Sequence, residues 1–299
     1  GLFHNPMNFL NKIPHHRKGL LYISITALLW SSSGLFIKIL TLNAYQILFY
    51  RSVIAAITLV IISSFKEKRI KFEHDKLTIL ASVFYSGILI FFVIANKLTT
   101  SANAIFLQFT APIYLLFLEP LLLKTKFRRK DLVTIVISIS GMFLFFMGKL
   151  ELGSIYGNLI AILAGFCFAM FSLFLKWKKQ KGSENTIISV IYGNIIVGLI
   201  CLPIVFGELS LSTTETYVLL YMGIIQIGIS YFIFNIGIKY VSATESLIIG
   251  MLEAIFNPVW VFIGVGEVPA TTAVIGGLII FAAILFHNFL PFRKENTAQ

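Results

Sequence analysis

The residue of this sequence best suited to chemistry is a carboxylate near the middle of a long apolar run. Glu253 lies about ten residues into the run 243–264, and Asn257 follows it by four residues. That spacing places both side chains on one face of a helix. Pro258 removes a backbone donor and tends to free the carbonyl of Ala254, which predicts a helix bend beside the carboxylate. Such a group could bind an amine or exchange a proton; a buried glutamate that serves packing alone is the alternative.

A second polar stripe occupies another apolar run. Gln108, Pro112 and Glu119 follow one another at intervals of four and seven residues, so they share a helix face. We expect Gln108, near the middle of the run, to contact a ligand and Pro112 to mark a bend. Glu119 lies about one turn from the end of the run, where pairing with Lys124 or another basic side chain indicates a structural role. Arg51 is likewise expected to pair with a carboxylate or to snorkel.

Aromatic and amide side chains in two further runs could form the walls of a binding site. Trp30 offers a stacking surface and an indole N–H donor. Tyr231 and Asn235 are one helical turn apart. We predict that all three contact a ligand, with lipid-facing positions as the alternative. Cys167 and Cys201 lie apart within apolar runs, and no histidines or acids have metal-ligand spacing, so neither a disulfide nor a metal site is expected.

The elements that position these residues must be membrane helices. Of the 299 residues, 58% are apolar and 12% are charged, and the mean hydropathy is +0.90. A soluble domain carries about 25% charged residues. Apolar runs that approach twenty residues fit membrane-spanning helices, whereas β-barrel strands would alternate over about ten. The ten predicted spans are 19–39, 44–64, 76–96, 101–123, 132–148, 155–175, 186–206, 216–238, 243–264 and 271–290.

The placement of basic residues predicts the orientation of these spans. Twenty of the 24 lysines and arginines lie on the side that holds both ends of the chain, three lie on the other side, and Arg51 lies within a span. Basic residues concentrate in cytoplasmic loops, so both termini are predicted to be cytoplasmic. The net charge of +11 is therefore a topology signal, and nucleic acid is not expected as a partner.

The two halves of the chain are related by a nearly constant offset. A shift of 141 residues brings Ser101-Ala102 onto Ser242-Ala243. A repeat of five spans reverses the orientation of the second half, which is typical of secondary transporters with a midplane site. The predicted divisions are a cytoplasmic lead (1–18), a first five-helix repeat (19–148), an extracytoplasmic connection (149–154), a second, inverted repeat (155–290) and a cytoplasmic tail (291–299).

Several short phrases resemble the drug/metabolite transporter superfamily, and specifically its EamA-type members. They are Phe49-Tyr50-Arg51, Thr110-Ala111-Pro112, Gly266-Glu267 and Leu252-Glu253-Ala254-Ile255-Phe256-Asn257-Pro258-Val259-Trp260. The resemblance covers about residues 19–290. It implies a ten-helix carrier whose spans 1, 3, 4, 6, 8 and 9 line a cavity, and substrates that range from amino acids to nucleotide-linked sugars and cations. The first half departs from the pattern, since Lys126 stands where the second half has Glu267.

The sequence therefore predicts an all-α secondary active transporter, an exporter or exchanger, that moves a small organic metabolite such as an amino acid or amine by alternating access. A passive channel or facilitator and a non-transporting scaffold are the alternatives. No GxxxxGK[ST] or HExxH motif occurs, so neither enzyme activity nor a cofactor is expected, while coupling to protons is left open. The predicted location is a bacterial inner membrane, and homo-oligomerisation is left open.

Overall fold

The computed structural model describes residues 13–66, 72–147, 154–183, 186–265, 268 and 270–289, and the regular structure in these residues is helical, with no strand. The helices are α1 (His15–Trp30), α2 (Ser33–Ile39), α3 (Ala44–Lys66), α4 (Lys76–Leu98), α5 (Ser101–Gln108), α6 (Ala111–Leu123), α7 (Arg129–Phe146), α8 (Ile155–Gln180), α9 (Ile187–Val205), α10 (Thr213–Tyr221), α11 (Ser230–Gly237), α12 (Ala243–Gly250), α13 (Leu252–Val265) and α14 (Thr271–Phe289). A π-helical turn (Met222–Ile229) joins α10 to α11. Of the predicted connection 149–154 only Ser154 is described, and the tail 291–299 lies outside the described residues.

Eight helical stretches of the described chain are long and apolar enough to cross a membrane, as an all-α membrane protein requires. Two predicted spans are not among them. The run 132–148 corresponds to α7, which begins with three charged residues, and the run 243–264 is divided into α12 and α13 at Met251. Ten spans and cytoplasmic termini therefore stay predictions.

The break between α5 and α6 follows from local chemistry. Pro112 occupies the first turn of α6, where its missing N–H costs little, but a helix continued through this point would lose a hydrogen bond. The chain turns instead, with Thr110 Oγ1 donating to the carbonyl of Leu107 at 2.7 Å and the Ile113 N–H donating to the carbonyl of Thr110 at 2.9 Å. At Pro112 the helix is thus fully interrupted.

Breaks occur at matching places in the two halves. α6 begins at Ala111 and α13 at Leu252, 141 residues later, which is the offset of the sequence repeat. A third break, at Ser31 and Ser32, separates α1 from α2. Pro258 lies within α13, and its side chain lies outside the described ones, so the bend predicted there stays a prediction.

Helix α8 supports the break between α5 and α6 from one side. Gly165 of α8 lies so close that a Cβ atom added to it would be 2.6 Å from the backbone oxygen of Gln108 and 3.0 Å from Thr110 Oγ1. A residue with a side chain could not approach the backbone this closely. α8 therefore packs directly against the backbone of the break and limits how far Gln108 can move towards it.

The π-helical turn widens the helix between α10 and α11, because its hydrogen bonds span five residues rather than four. Gly223 in this turn packs directly against Ile54 of α3. Gln226, also in the turn, is fully buried. Turns of this kind occur frequently at functional sites, so the polar Gln226 side chain marks this region for closer inspection.

Candidate functional site

A small cavity lies among the interrupted helices and the π-helical turn. Its volume of about 30 Å³ leaves room for about two water molecules, so the side chains around it are closely packed. Both helical halves contribute to its walls. The lining residues are Trp30, Ser33, Arg51, Ile88, Leu89, Phe92, Gln108, Phe168, Gln226, Ile227, Tyr231 and Glu253.

Arg51 and Glu253 bring ionisable groups of opposite sign to this cavity. Arg51 is 1% exposed and Glu253 is 5% exposed. The ion pairs formed within the described ranges include neither residue, so the predicted pairing of Arg51 with a carboxylate is not found there. Because an uncompensated buried charge is costly, each of these groups in its charged form would gain from a ligand of opposite charge.

Three buried polar atoms of the cavity residues lack a hydrogen-bond partner: Arg51 Nε, Gln108 Oε1 and Gln226 Oε1. The amide of Gln226 is anchored at its other end, where Nε2 donates to Ser32 Oγ at 2.7 Å. Buried polar groups in proteins are almost always satisfied by protein atoms, water or a ligand. Residues that line the cavity thus carry one donor and two acceptors that are buried without a partner.

Aromatic side chains form the opposite wall. The Trp30 indole N–H donates to Ser230 Oγ at 2.8 Å, which fixes the ring. The Trp30 ring centroid lies 4.9 Å from that of Tyr231 and 5.5 Å from that of Phe168. Tyr231 in turn packs edge-on against Tyr85, with centroids 4.7 Å apart. These contacts hold the predicted wall residues Trp30 and Tyr231 side by side at the cavity.

Asn235 and Asn257 are not among the residues that line the cavity. Asn235 lies one turn beyond Tyr231 and accepts a hydrogen bond from the hydroxyl of Thr186. Asn257 is half-buried on α13, with its amide nitrogen 3.2 Å from where a Cβ atom on Gly34 would lie. Their predicted contact with a ligand therefore stays a prediction.

Glu119 lies near the end of α6, away from the cavity. Its carboxylate accepts hydrogen bonds from the first backbone amides of α12, those of Ala243 and Thr244. A negative charge at a helix N-terminus is stabilising. The partner of Glu119 within the described residues is thus a helix end rather than Lys124.

Sequence reasoning did not select Gln226, Ser33 or Phe168 as site residues. Gln226 carries a usable signal, since it is an isolated amide in the apolar run 216–238 and stands one turn from Ser230. The π-helical turn that brings it to the cavity has no sequence signature. Phe168 is one of 29 phenylalanines, and its position in an apolar helix does not distinguish it from a lipid-facing ring.

A second cavity, of about 330 Å³, lies at one end of the bundle beside α4 and α8. Lys178 Nζ there donates to Glu73 Oε2 at 3.0 Å and Asp75 Oδ1 at 3.2 Å, and it also contacts the Thr78 hydroxyl. Partial burial alone would raise the pKa of Asp75, but hydrogen bonds from Thr78 and Lys178 outweigh it and lower that pKa below its ordinary value. The charges here compensate one another, so this cavity is the weaker candidate for a substrate.

The chain matches known transporter sequences over most of its length. A sequence model of the EamA-like transporter family matches residues 17–147 and 155–289. An uncharacterized transporter of Archaeoglobus fulgidus is 24% identical over 276 residues, which cover 88% of this chain and 95% of that protein. An uncharacterized transporter of Clostridium kluyveri is 25% identical over an alignment 305 residues long, gaps included. That alignment covers 94% of this chain and 96% of that protein.

A solved crystal structure shares the fold. It superposes with a TM-score of 0.77, covers 90% of this chain and 96% of its own, and is 13% identical. The family match, which extends over both halves, confirms the predicted relation to EamA-type members of the drug/metabolite transporter superfamily. With its apolar helices and these matches, the chain belongs to the EamA-like transporter family and is a multi-pass integral membrane protein.

Proposed function

We propose that this chain is a secondary active transporter that carries a small zwitterionic or cationic organic solute, such as an amino acid or amine, by alternating access. The observation that carries the proposal is that Arg51 and Glu253, both buried, line one small cavity without an ion pair between them. In this proposal Glu253 binds an ammonium group or a proton, and Arg51 binds a carboxylate. The solute is moved by export or exchange.

The charge arrangement supports a ligand that carries both signs. Each buried charge loses its hydration, and direct contact would recover much of that loss through their attraction. Arg51 and Glu253 stay apart, so a zwitterion placed between them would compensate both groups. An amine would compensate only Glu253, and a carboxylate only Arg51.

The neutral part of the cavity suits the same ligand. Gln108 and Gln226 present amide oxygens without partners, which could accept hydrogen bonds from an ammonium group. Trp30 and Tyr231 present ring faces that attract a cation and bury apolar substituents. The unpartnered Arg51 Nε supplies a donor for a carboxylate oxygen.

Alternating access accounts for a cavity that is too small for a metabolite. The cavity must enlarge and open towards one side at a time, and helices deform most easily where their hydrogen bonding is already interrupted. The breaks at Thr110 and Met251 lie in matching places of the two halves, which supports halves that move as inverted counterparts. The excess of basic residues on one side supports cytoplasmic termini in a bacterial inner membrane.

A thermal-shift screen followed by counterflow tests the proposal. A zwitterionic amino acid that binds the folded transporter should raise its melting temperature and drive saturable counterflow in proteoliposomes. Glu253→Gln should abolish binding of zwitterions and amines. Arg51→Gln should weaken the binding of zwitterions and leave the binding of amines unchanged. Glu208→Gln, at an exposed acid, is the matched control.

Other outcomes separate the alternatives. Flux that rises linearly with concentration and shows no counterflow would indicate a channel. Neither binding nor flux for any solute class would indicate a scaffold. Transport by Glu253→Gln that keeps the parent's dependence on pH from about 5 to 8 would remove the coupling role of this carboxylate.

A further inference from the structure

Two histidines and two carboxylates form a connected network outside the cavity. His16 Nε2 lies 2.8 Å from Glu245 Oε1, and His287 Nε2 lies 2.7 Å from Asp131 Oδ1. The two pairs meet where His287 Nδ1 lies 3.9 Å from Glu245 Oε1. These residues come from α1, α7, α12 and α14, and none of them lines the cavity.

The network runs from solvent into the interior. The side chain of His16 is 50% exposed, whereas those of Glu245 and His287 are 4% and 1% exposed. His287 faces an acceptor at each ring nitrogen, since Nδ1 also lies 3.3 Å from Asn288 Oδ1. Only a protonated imidazole can donate from both nitrogens. Both contacts of His287 can therefore be hydrogen bonds donated by the ring only when each nitrogen carries a proton.

Other charged groups face the network from the neighbouring elements. Arg128 and Lys130, at the start of α7, oppose protonation of His16, and Arg128 and Lys176, the latter on α8, act electrostatically on Glu245. Glu119 of α6 is already bound to the N-terminus of α12. The carboxylates of Glu245 and Asp131 contact the imidazoles directly, and for His16 the hydrogen bond to Glu245 outweighs the two cations.

Each direct contact joins the two halves of the chain. His16 precedes the first predicted repeat and Glu245 lies in the second, while Asp131 lies in the first and His287 in the second. Separation of the halves at this end would remove the acceptors from both imidazoles. Because a proton is bound more tightly while the carboxylates are in place, proton binding and closure of this end must be linked.

We propose that His16, Glu245, His287 and Asp131 form a proton-binding site, separate from the cavity, whose protonation holds this end of the transporter closed and whose deprotonation releases it. The inference rests on the proposed function, and the predicted orientation places this end at the cytoplasm. A cytoplasmic pH that rises above about 6.5, the ordinary pKa of histidine, then favours opening to the cytoplasm.

Accessibility of a buried thiol tests the proposal without any substrate. Ser246, next to Glu245, is 0% exposed, so Ser246→Cys in a background with Cys167→Ala and Cys201→Ala reports opening of this end. The purified protein in detergent is labelled with a charged thiol reagent from about pH 5.5 to 8. Dividing by the rate for the exposed Lys181→Cys in the same background removes the intrinsic pH dependence of thiol reactivity.

The normalised rate should rise severalfold with pH in the parent background and should be flat when His16→Gln and His287→Gln are combined. His74→Gln is the matched control, because His74 stacks on Tyr192 outside the network and its loss should leave the rise intact. A flat parent profile, or an undiminished rise in the double variant, would overturn the proposal.

A single variant keeps the test decisive if the double variant misfolds. His16 is half-exposed, so His16→Gln should fold and should reduce the rise; an unchanged rise in this variant also overturns the proposal. The labelling needs no transport, so absence of counterflow together with the expected labelling pattern would reject the proposed function and leave the proton site standing.

Discussion

Glu119 Oε2 accepts two hydrogen bonds from Thr244, one from its backbone N–H at 2.7 Å and one from its hydroxyl at 2.6 Å. The other carboxylate oxygen accepts from the N–H of Ala243 at 2.8 Å. Together these bonds satisfy amides that the first turn of α12 leaves without intrahelical acceptors. Since α6 and α12 belong to different halves, the contact also ties the halves to each other.

Glu119→Gln should destabilise the protein. The amide keeps one acceptor but turns an NH2 group towards backbone donors, so a loss of about 1–3 kcal/mol in the free energy of unfolding is expected. The melting temperature in detergent measures it. Glu208→Gln, at an exposed acid, should change stability by less than about 0.5 kcal/mol. Equal melting temperatures for the two variants would contradict the role assigned to Glu119.

Gly165→Ala should disturb the break between α5 and α6. The added Cβ atom would meet the Gln108 oxygen at 2.6 Å, and relief of such an overlap costs about 1–3 kcal/mol. Gly198→Ala is the matched control, because its Cβ atom would meet Val53 Cγ2 at an ordinary 3.5 Å. That variant should be neutral, or more stable by up to about 1 kcal/mol through helix propensity. Thermal unfolding of both variants gives the comparison, and a loss in Gly198→Ala equal to that in Gly165→Ala would refute the steric explanation.

Gln226→Met should weaken ligand binding while keeping the side chain's length. Loss of this unpartnered acceptor on a residue that lines the cavity is expected to cost about 1–3 kcal/mol, or roughly five- to 150-fold in the dissociation constant. Titration with the solute identified by thermal shift provides the measurement. Gln180→Met, at an exposed residue near the end of α8, should bind as the parent does. An unchanged dissociation constant in Gln226→Met would separate this amide from the binding site.

The Asp75–Lys178 contact should stabilise the protein in a pH-dependent way. The pKa of Asp75 is lowered, so its contribution is present above the pKa of the unfolded chain, near about 3.9, and is lost as the pH falls through the lower folded value. Asn caps helices as well as Asp does, so Asp75→Asn removes the charge and retains the cap. The parent should melt higher than Asp75→Asn at neutral pH, and the difference should shrink as the pH falls below about 3.9. A difference that is independent of pH would contradict this assignment.

Sequence reasoning predicts the membrane helices and the family because both are local properties. Apolar runs and short phrases such as that around Glu253 can be read directly from the linear sequence. A charged residue within an apolar run is easily recognised because burying its charge costs free energy. Long-range geometry is not visible in this way. Arg51 faces the same cavity as Glu253 although about two hundred residues separate them. The pairing of His287 with Asp131 likewise depends on how α7 and α14 pack.

The helix breaks differ in the same way, since one has a local cause in the sequence and another does not. The interruption between α5 and α6 has a local cause in Pro112, and the sequence signals it. The break at Met251 lies seven residues before Pro258, and no proline or glycine pair marks it. Its position becomes evident only because the first half is interrupted at the matching point, 141 residues earlier.

The π-helical turn from Met222 to Ile229 sets the direction in which α11 presents its side chains relative to α10. A π-helical turn accommodates one residue more than an α-helical turn, and each residue of an α-helix advances the direction of the side chain by about 100°. Relaxation of this segment into regular α-helix at unchanged length would therefore rotate Tyr231 and everything beyond it on α11 by about that angle relative to α10. Such a rotation would remove Tyr231 from Trp30 and dismantle the aromatic wall. A deletion of one residue within the segment offsets the rotation, so it would let regular α-helix form with Tyr231 still beside Trp30.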